Sequence, residues 1–393
     1  MSRDPLVILS ARRTPVGAFQ GVFATVTAPQ LGAVAIKAAL ADSGVAPGEV
    51  DEVIMGCVLS AGLGQAPARQ AALGAGIPAS VPASTVNKMC GSAMRAIMLA
   101  GDQILAGSAR IMVAGGLESM TNAPYLMPKA RAGYRMGHQE VLDHMFTDGL
   151  QSPWDGQLMG CFAEATSSKY DFSRAAQDDF ARESARRAQA AVAGGAFVSE
   201  IAPVTAKTRK GETVIDKDET PGTIDVSKIA TLKPAFRKDG SVTAASSASI
   251  SDGAAALVLA RESTARERGL KPIARILGYT SFAREPEWFT LAPVGAIQRL
   301  LQKIEWRAQD ADLYEINEAF AVVTMVAMKD LSLDPGKVNV NGGACSLGHP
   351  IGATGARIVT TLLHALRSRG KRRGIASLCI GGGEATAIAV ELV

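Results

Sequence analysis

The alternation of apolar and polar positions divides the chain into short apolar runs, helical stretches and glycine-rich turns. Residues 6–9 form the first run and end in a polar turn through Arg12, Arg13, Thr14 and Pro15. Between 28 and 41, Leu31, Val34, Ala35, Ala38 and Ala39 recur at helical spacing, and Ser43-Gly44 and Pro47-Gly48 end that helix. Strands are predicted at 52–55, 84–87 and 110–114. A short Ala-rich helix, punctuated by Gly and Pro, follows the first, and an Ala- and Met-rich helix at 93–106 follows the second. The last third repeats the plan, with a strand at 273–277, a helix at 294–304 and a strand at 312–316. A short strand through Val338 and Val340, a helix from about Ala353 and a final strand at 375–380 complete it. Residues 51–55 resemble 312–316, Val86-Asn87 resembles Val340-Asn341, and Gly115-Gly116-Leu117-Glu118 echoes Gly381-Gly382-Gly383-Glu384. Such a repeat implies two similar α/β halves built from strand–helix–strand units.

Residues 120–250 break the pattern with more charge and more turn residues. They hold one strongly amphipathic helix from about Ser173, a good N-cap, to Val192, with Gly194-Gly195 as its stop. Its charged face reads as solvated surface. The expected organisation is therefore a first half of residues 1–119 and 251–270, an inserted loop domain of 120–250, and a second half of 271–393. Lys207, Arg209, Lys210, Lys228, Lys233, Arg237 and Lys238 bias one end of the insert towards positive charge, compatible with loop solvation or with an anion site.

Composition narrows the function classes. The chain has 393 residues, 47% hydrophobic and 20% charged, as in an ordinary globular protein. No uninterrupted apolar run of about 18 residues suggests a membrane span. The apolar run at the N-terminus is too short for a secretory signal, so a cytoplasmic location is expected. The net charge of +4 is mild and interleaved, which argues against nucleic acid and suits a small polyanionic ligand. Five scattered cysteines make no disulfide framework, and Cys345 and His349 lack further ligands for a metal.

The candidate chemistry sits in the turns. The loop 338–357 holds five glycines and His349, and it lacks the Lys-Ser/Thr ending of a phosphate-binding loop. In twofold-related halves, equivalent strand ends can face one cleft. Cys90 then lies at a helix N-terminus, which is expected to lower its thiol pKa, and His349 lies just before the matching helix. A His within reach of the thiol would complete an activated nucleophile. Cys379 ends the last predicted strand beside Gly381, whose neighbouring N–H groups suit an oxyanion. Asn317 ends another strand, where its amide could fix a water or a carbonyl.

Four motifs carry a family resemblance: Asn87-Lys88-Met89-Cys90-Gly91-Ser92, Asn317-Glu318-Ala319-Phe320-Ala321, Gly348-His349-Pro350-Ile351-Gly352 and Cys379-Ile380-Gly381-Gly382-Gly383. In order and over nearly the whole chain, they resemble the active-site blocks of thiolases. The resemblance implies an α/β thiolase fold of two similar halves in five αβαβα layers with an inserted loop domain. It implies an acyltransferase working on coenzyme A thioesters, with no other cofactor. Cys90 would be the acylated nucleophile. His349 would activate it and help stabilise the substrate thioester oxygen, and Asn317 would hold the water completing that oxyanion site. Cys379 would be the acid/base at the α-carbon. The backbone N–H groups of Cys90 and Gly381 would form a second oxyanion site. Leu150, Met159, Phe236, Ala244, Ala248, Ala319 and Phe320 would line the substrate.

The resemblance implies an acetyl-CoA C-acetyltransferase, condensing two acetyl-CoA to acetoacetyl-CoA and CoA, in ping-pong fashion. The segment 133–148, with His138 and His144, resembles the tetramerisation loop of acetoacetyl-CoA thiolases and implies a homotetramer. Two departures favour a broader 3-ketoacyl-CoA thiolase. Leu158 stands where many acetoacetyl-specific relatives have His, and Ala248 where they often have Ser. Both make the acyl pocket more apolar, and each methylene accommodated is worth about 0.8 kcal/mol. Decarboxylating ketosynthases lack a second cysteine like Cys379. A non-catalytic acyl-CoA-binding relative would be expected to have lost part of the constellation, which is complete here. Cys57 and Cys161 are expected in the core, Cys345 as packing and His364 as structural.

Overall fold

The computed structural model describes residues 4–208 and 211–393, so Arg209 and Lys210 of the basic group lie outside the described residues. The first half runs β1 (Leu6–Arg13), α1 (Ala28–Ser43), β2 (Glu52–Gly56), α2 (Pro67–Gly74), β3 (Ala83–Val86), α3 (Ser92–Ala106) and β4 (Ile111–Ser119). Thr27 starts α1 with a capping box: its hydroxyl accepts from the Gln30 N–H, and the Gln30 side chain accepts from the Thr27 N–H. The insert contributes α4 (Met159–Tyr170) and α5 (Arg174–Ala193), and β5 (Ser251–Arg261) then returns to the first half. The second half comprises β6 (Ala274–Ala283), α6 (Ala292–Lys303), β7 (Leu313–Ile316), α7 (Ala321–Asp330), α8 (Thr354–Ser368), β8 (Arg373–Ile380) and β9 (Glu384–Leu392).

The strands form the order β7-β8-β9-β6-β1-β5-β4-β2-β3, with the short pair Gly17–Ala18 on β5. β2 pairs parallel with β3 and β4, and β7 parallel with β8; the inner strands are antiparallel. The halves join where β1 meets β6, over only Val7–Arg275 and Ile8–Ala274. Three apolar cores follow. Met94 and Ile97 of α3 and Ile358 and Leu362 of α8 share a central core with inward residues of both halves, such as Met112, Leu257, Leu378 and Ile388. Leu31 and Ile36 of α1 cover one outer face, and Ile297 and Leu300 of α6 cover the other. The result is the expected five layers, helix–sheet–helix–sheet–helix. α8 is buried nearly all round, as its place between two sheets requires.

The repeat is legible in paired caps. Asp51 Oδ2 accepts the N–H groups of Arg110 and Ile111 at 2.7 and 2.9 Å, and Asp312 Oδ2 those of Arg372 and Arg373 at 3.0 and 2.9 Å. The residue eight places after Arg110 is Glu118, and eight places after Arg372 is Ile380. The Gly-Gly-x-Glu echo is therefore out of register. In the first half, Gly115 and Gly116 lie inside β4, paired with Ala256 and Ala255. In the second, Gly382 and Gly383 take positive φ and turn the chain into β9, so β8 is not the last strand. The strand expected at Val338 and Val340 shrinks to two isolated bridges, Tyr314 with Val338 and Val340 with Gly342.

The insert is locked to the body by charge and by helix docking. Arg13, 1% exposed, meets Glu200 at 2.5 Å and Asp218 at 2.7 Å. Ser173 caps α5, accepting from the Ala176 N–H. Arg174–Asp178 and Arg187–Glu183 pair along the helix. α5 is less free than its charged face suggested, because Ser184 Oγ donates to Glu318 Oε2 at 2.7 Å and Arg187 donates to the Val338 carbonyl at 2.6 Å.

Candidate active site

Cys90 sits on a tight turn between β3 and α3. The Asn87 side chain accepts the Met89 N–H at 2.9 Å, and Ser92 Oγ accepts the Lys88 N–H at 2.8 Å. These bonds hold Met89 at φ +48°, a left-handed conformation that costs a non-glycine residue energy. Strain of this kind persists only where neighbours enforce it, and here it presents the Cys90 thiol two residues ahead of α3.

His349 comes from the other half in the equivalent place before α8. Gly348, at φ +104°, brings the loop against Ser251 with no room for a side chain, and the His349 N–H donates to the Ser249 carbonyl at 3.1 Å. Near its start, α8 passes so close to α3 that a Cβ on Gly355 would run into the Met94 backbone. The N-termini of the two central helices thus abut, which places both preceding loops at one site. Cys90, Met89 and Ile351 share one apolar cluster there.

The ring of His349 is oriented. Its Nδ1 lies 2.6 Å from Thr354 Oγ1, whose own proton goes to the Pro350 carbonyl at 2.9 Å. Nδ1 therefore carries the hydrogen, and Nε2 is the free base. Asn317 Nδ2 donates to Nε2 across 3.4 Å, while Asn317 Oδ1, buried, has no protein partner. Burial and the Arg357 guanidinium push the imidazole down to about 3, so it is neutral at physiological pH.

The Cys90 thiol is not lowered as the sequence led us to expect. Burial pushes it up to about 11, against hydrogen bonds from the Gly381 and Cys90 N–H groups that favour the thiolate, and Glu118 adds to the rise. Cys379, fully buried in β8, is raised well above the ordinary thiol range by burial and then by Cys90. The resting state is two thiols and a neutral imidazole. Alkylation of Cys90 by iodoacetamide should accordingly rise about tenfold per pH unit between about pH 7 and pH 9 with no plateau. A plateau near neutrality would reveal a resting thiolate–imidazolium pair instead.

The residues expected to line the substrate divide into groups. Met159, Phe236, Ala319, Phe320 and Cys379 share one apolar cluster, with Phe236 edge-on to Phe320 at 5.8 Å. Leu150 packs instead with Met89 and Cys90. Ala248 donates its N–H to the Ala319 carbonyl at 3.0 Å, and Ala244 is exposed. Beside Gly381 lies a cavity of about 250 Å³ lined by Met89, Met159 and Phe162. It shares Ser152, Trp154, Phe162 and Pro286 with a groove of about 620 Å³. Phe162 and Phe289, which wall the Cys379 cluster, escaped the sequence reading, as did Thr354. The last had a signal: a hydroxyl residue at the start of the helix after His349.

The remaining candidates are accounted for locally. Cys345 is buried with its thiol towards the Glu318 carbonyl at 3.5 Å, and Cys57 is buried against Glu118. Cys161 is half-buried on α4. His144 pairs with Asp148 at 2.6 Å, His138 is exposed, and His364 bridges Ser199 and the Ala11 carbonyl. Among the described residues, no three His, Cys, Asp or Glu side chains converge on a metal position, and no helix is long and apolar enough to cross a membrane.

The thiolase N-terminal domain family matches residues 6–263, and the thiolase C-terminal domain family matches residues 270–392. An acetyl-CoA acetyltransferase of Cupriavidus necator is 49% identical over 390 residues, covering 98% of this chain and 99% of the relative. The crystal structure of the acetyl-CoA acetyltransferase of Bacillus anthracis superposes with a TM-score of 0.97 at 44% identity, covering 99% of each chain. Acat5 thiolase from Ascaris suum, solved in complex with coenzyme A, gives 0.94 at 43% identity, over 99% of this chain and 100% of that one. Matched from end to end by both family domains, with the two cysteines, the histidine and the asparagine of its motifs in place, the chain belongs to the thiolase family.

Proposed function

We propose that this protein is an acetyl-CoA C-acetyltransferase, interconverting two acetyl-CoA with acetoacetyl-CoA and CoA through acyl-Cys90. The observation that carries the reading is the pair of N–H groups, from Cys90 and Gly381, that already point at Cys90 Sγ, with a second thiol in the same cleft. The relatives' names supply the substrate.

In cleavage, Cys90 Sγ attacks the 3-keto carbon and its proton passes to His349 Nε2. The Cys90 and Gly381 N–H groups take the oxyanion. The carbon–carbon bond breaks, and the departing enolate takes a proton from the Cys379 thiol, giving acetyl-CoA. His349, now positive, and a water on Asn317 hold the enolate oxygen. CoA then attacks acyl-Cys90, its thiol proton going to the Cys379 thiolate. The Cys90 thiolate regains its proton from His349, and the site returns to two thiols and a neutral ring. Condensation is the reverse. Raised thiol pKa values suit this cycle, because Cys379 begins as an acid.

Incubation with acetyl-CoA should add one acetyl group to Cys90, seen by mass spectrometry, and acetoacetyl-CoA should be cleaved with ping-pong kinetics. No acetylated Cys90 would sink the proposal. The cavity beside Gly381 and its continuation past Phe162 favour a second reading, a 3-ketoacyl-CoA thiolase of wider chain length. Values of kcat/KM that hold or rise from acetoacetyl-CoA to 3-ketooctanoyl-CoA would select it; a steep fall would leave the first.

The insert would bind coenzyme A and carry the contacts of a homotetramer. The hairpin of Tyr125–Leu126 with Leu142–Asp143 supports this, since Tyr125, Met127, Val141 and Met136, the last 85% exposed, make it an apolar surface. Five unpaired cysteines suit a cytoplasmic location.

A further inference from the structure

The two halves exchange acidic anchors. Glu118, near the end of β4 in the first half, is fully buried. Its carboxylate accepts N–H groups from Val58 at 3.0 Å, from Leu59 at 3.1 Å and, across the halves, from Gly352 at 2.8 Å. Gly352 lies three residues past His349, and any Cβ there would press on Glu118 and on the Cys57 backbone. In the opposite direction, Glu384, the first residue of β9 in the second half, pairs with Lys88. Lys88 lies two residues before Cys90, next to strained Met89.

We propose that Glu118 and Glu384 are reciprocal positioning residues, each half using one carboxylate to fix the catalytic loop of the other. The assignment rests on the reading of Cys90 and His349 as nucleophile and base. Chemistry at Glu118 demands a carboxylate: three convergent N–H donors need an acceptor, and an amide would set its own NH2 against one of them. The Lys88–Glu384 pair is partly exposed, so it adds little to stability. Its place on the strained turn gives it another use, because a displacement of about 1 Å at reacting atoms can cost about a hundredfold in rate. Neither anchor follows from the internal repeat, whose register sets Glu118 against Ile380.

The test is a charge exchange. Lys88→Glu and Glu384→Lys should each lower kcat by about tenfold or more, with KM within about twofold and Tm nearly unchanged. The double exchange should recover most of the lost kcat. Glu118→Gln should lower kcat by about ten- to a hundredfold and slow acylation of Cys90, with Glu118→Asp intermediate. Single variants with wild-type kcat, losses that follow Tm alone, or a double exchange whose losses simply multiply would overturn the proposal. The Lys88–Glu384 arm decides by itself should Glu118→Gln not fold. Wild-type protein that forms no acyl-Cys90 would overturn the underlying reading as well; acyl-Cys90 in the wild type with unaffected variants overturns the anchors alone.

Discussion

Cys90→Ala will abolish both directions of the reaction, with kcat falling on the order of a million-fold, as when other activated nucleophiles are removed. The size follows from what remains. His349 Nε2 would have no thiol to deprotonate, and the Cys90 and Gly381 N–H groups would face no tetrahedral carbon bonded to the protein. Cys379 cannot substitute, because it is fully buried among Phe236, Phe289 and Phe320 and its thiol is held above the ordinary range. Mass spectrometry after incubation with acetyl-CoA should show one acetyl group on the wild type and none on the variant. An adduct that survives, moved to Cys379, would reverse the two roles.

Cys379→Ala should separate the two half-reactions. The carbon–carbon step needs a proton at the α-carbon, and loss of a positioned acid/base costs about a hundred- to ten-thousand-fold. In acyl transfer from acetyl-CoA to Cys90, Cys379 only gives the leaving CoA thiolate a proton that water can also supply, a thiol being a far stronger acid than an α-carbon. The variant should therefore still exchange labelled CoA into acetyl-CoA within about tenfold of the wild-type rate, while cleavage of acetoacetyl-CoA collapses. His349→Ala should lose both. Equal loss of exchange and cleavage in Cys379→Ala would show that acyl transfer needs the second thiol as much as the carbon–carbon step does.

Much of the site was legible in sequence because its residues are chemically marked. Cys90 and His349 stand beside glycines in loops that lead into helices, Cys379 and Asn317 stand at strand ends, and the structure brings the two loops together through abutting helix N-termini. What was misread depended on burial, which residue order does not show. The Cys90 thiol rises because burial disfavours its thiolate more than the Gly381 and Cys90 N–H groups favour it. The strand at Val338 failed because Asn339 takes φ +47° and spends its side chain on Ile316, donating to its carbonyl and accepting its N–H, each at 2.8 Å. β9 passed unnoticed because its small residues, Ala385, Ala387 and Ala389, gave a weak alternation. Glu118 was visible only as part of an echo whose register turned out to be wrong.

The position of β5 has a consequence for how the protein is made. β5 lies between β1 and β4, yet it is encoded after the whole insert. A nascent chain that has reached Ser119 holds both neighbours of the missing strand, with their facing edges unpaired. Roughly 130 more residues must be translated before Ser251 appears, on the order of ten seconds at about 5–20 residues per second. Throughout that interval the emerging domain exposes two apolar strand edges, the arrangement most prone to pairing with other chains. Folding of the first half is therefore tied to the completion of the insert, and its long-range pairing makes it slow. Chaperone supply, rather than final stability, should limit the yield of this protein in a crowded cell.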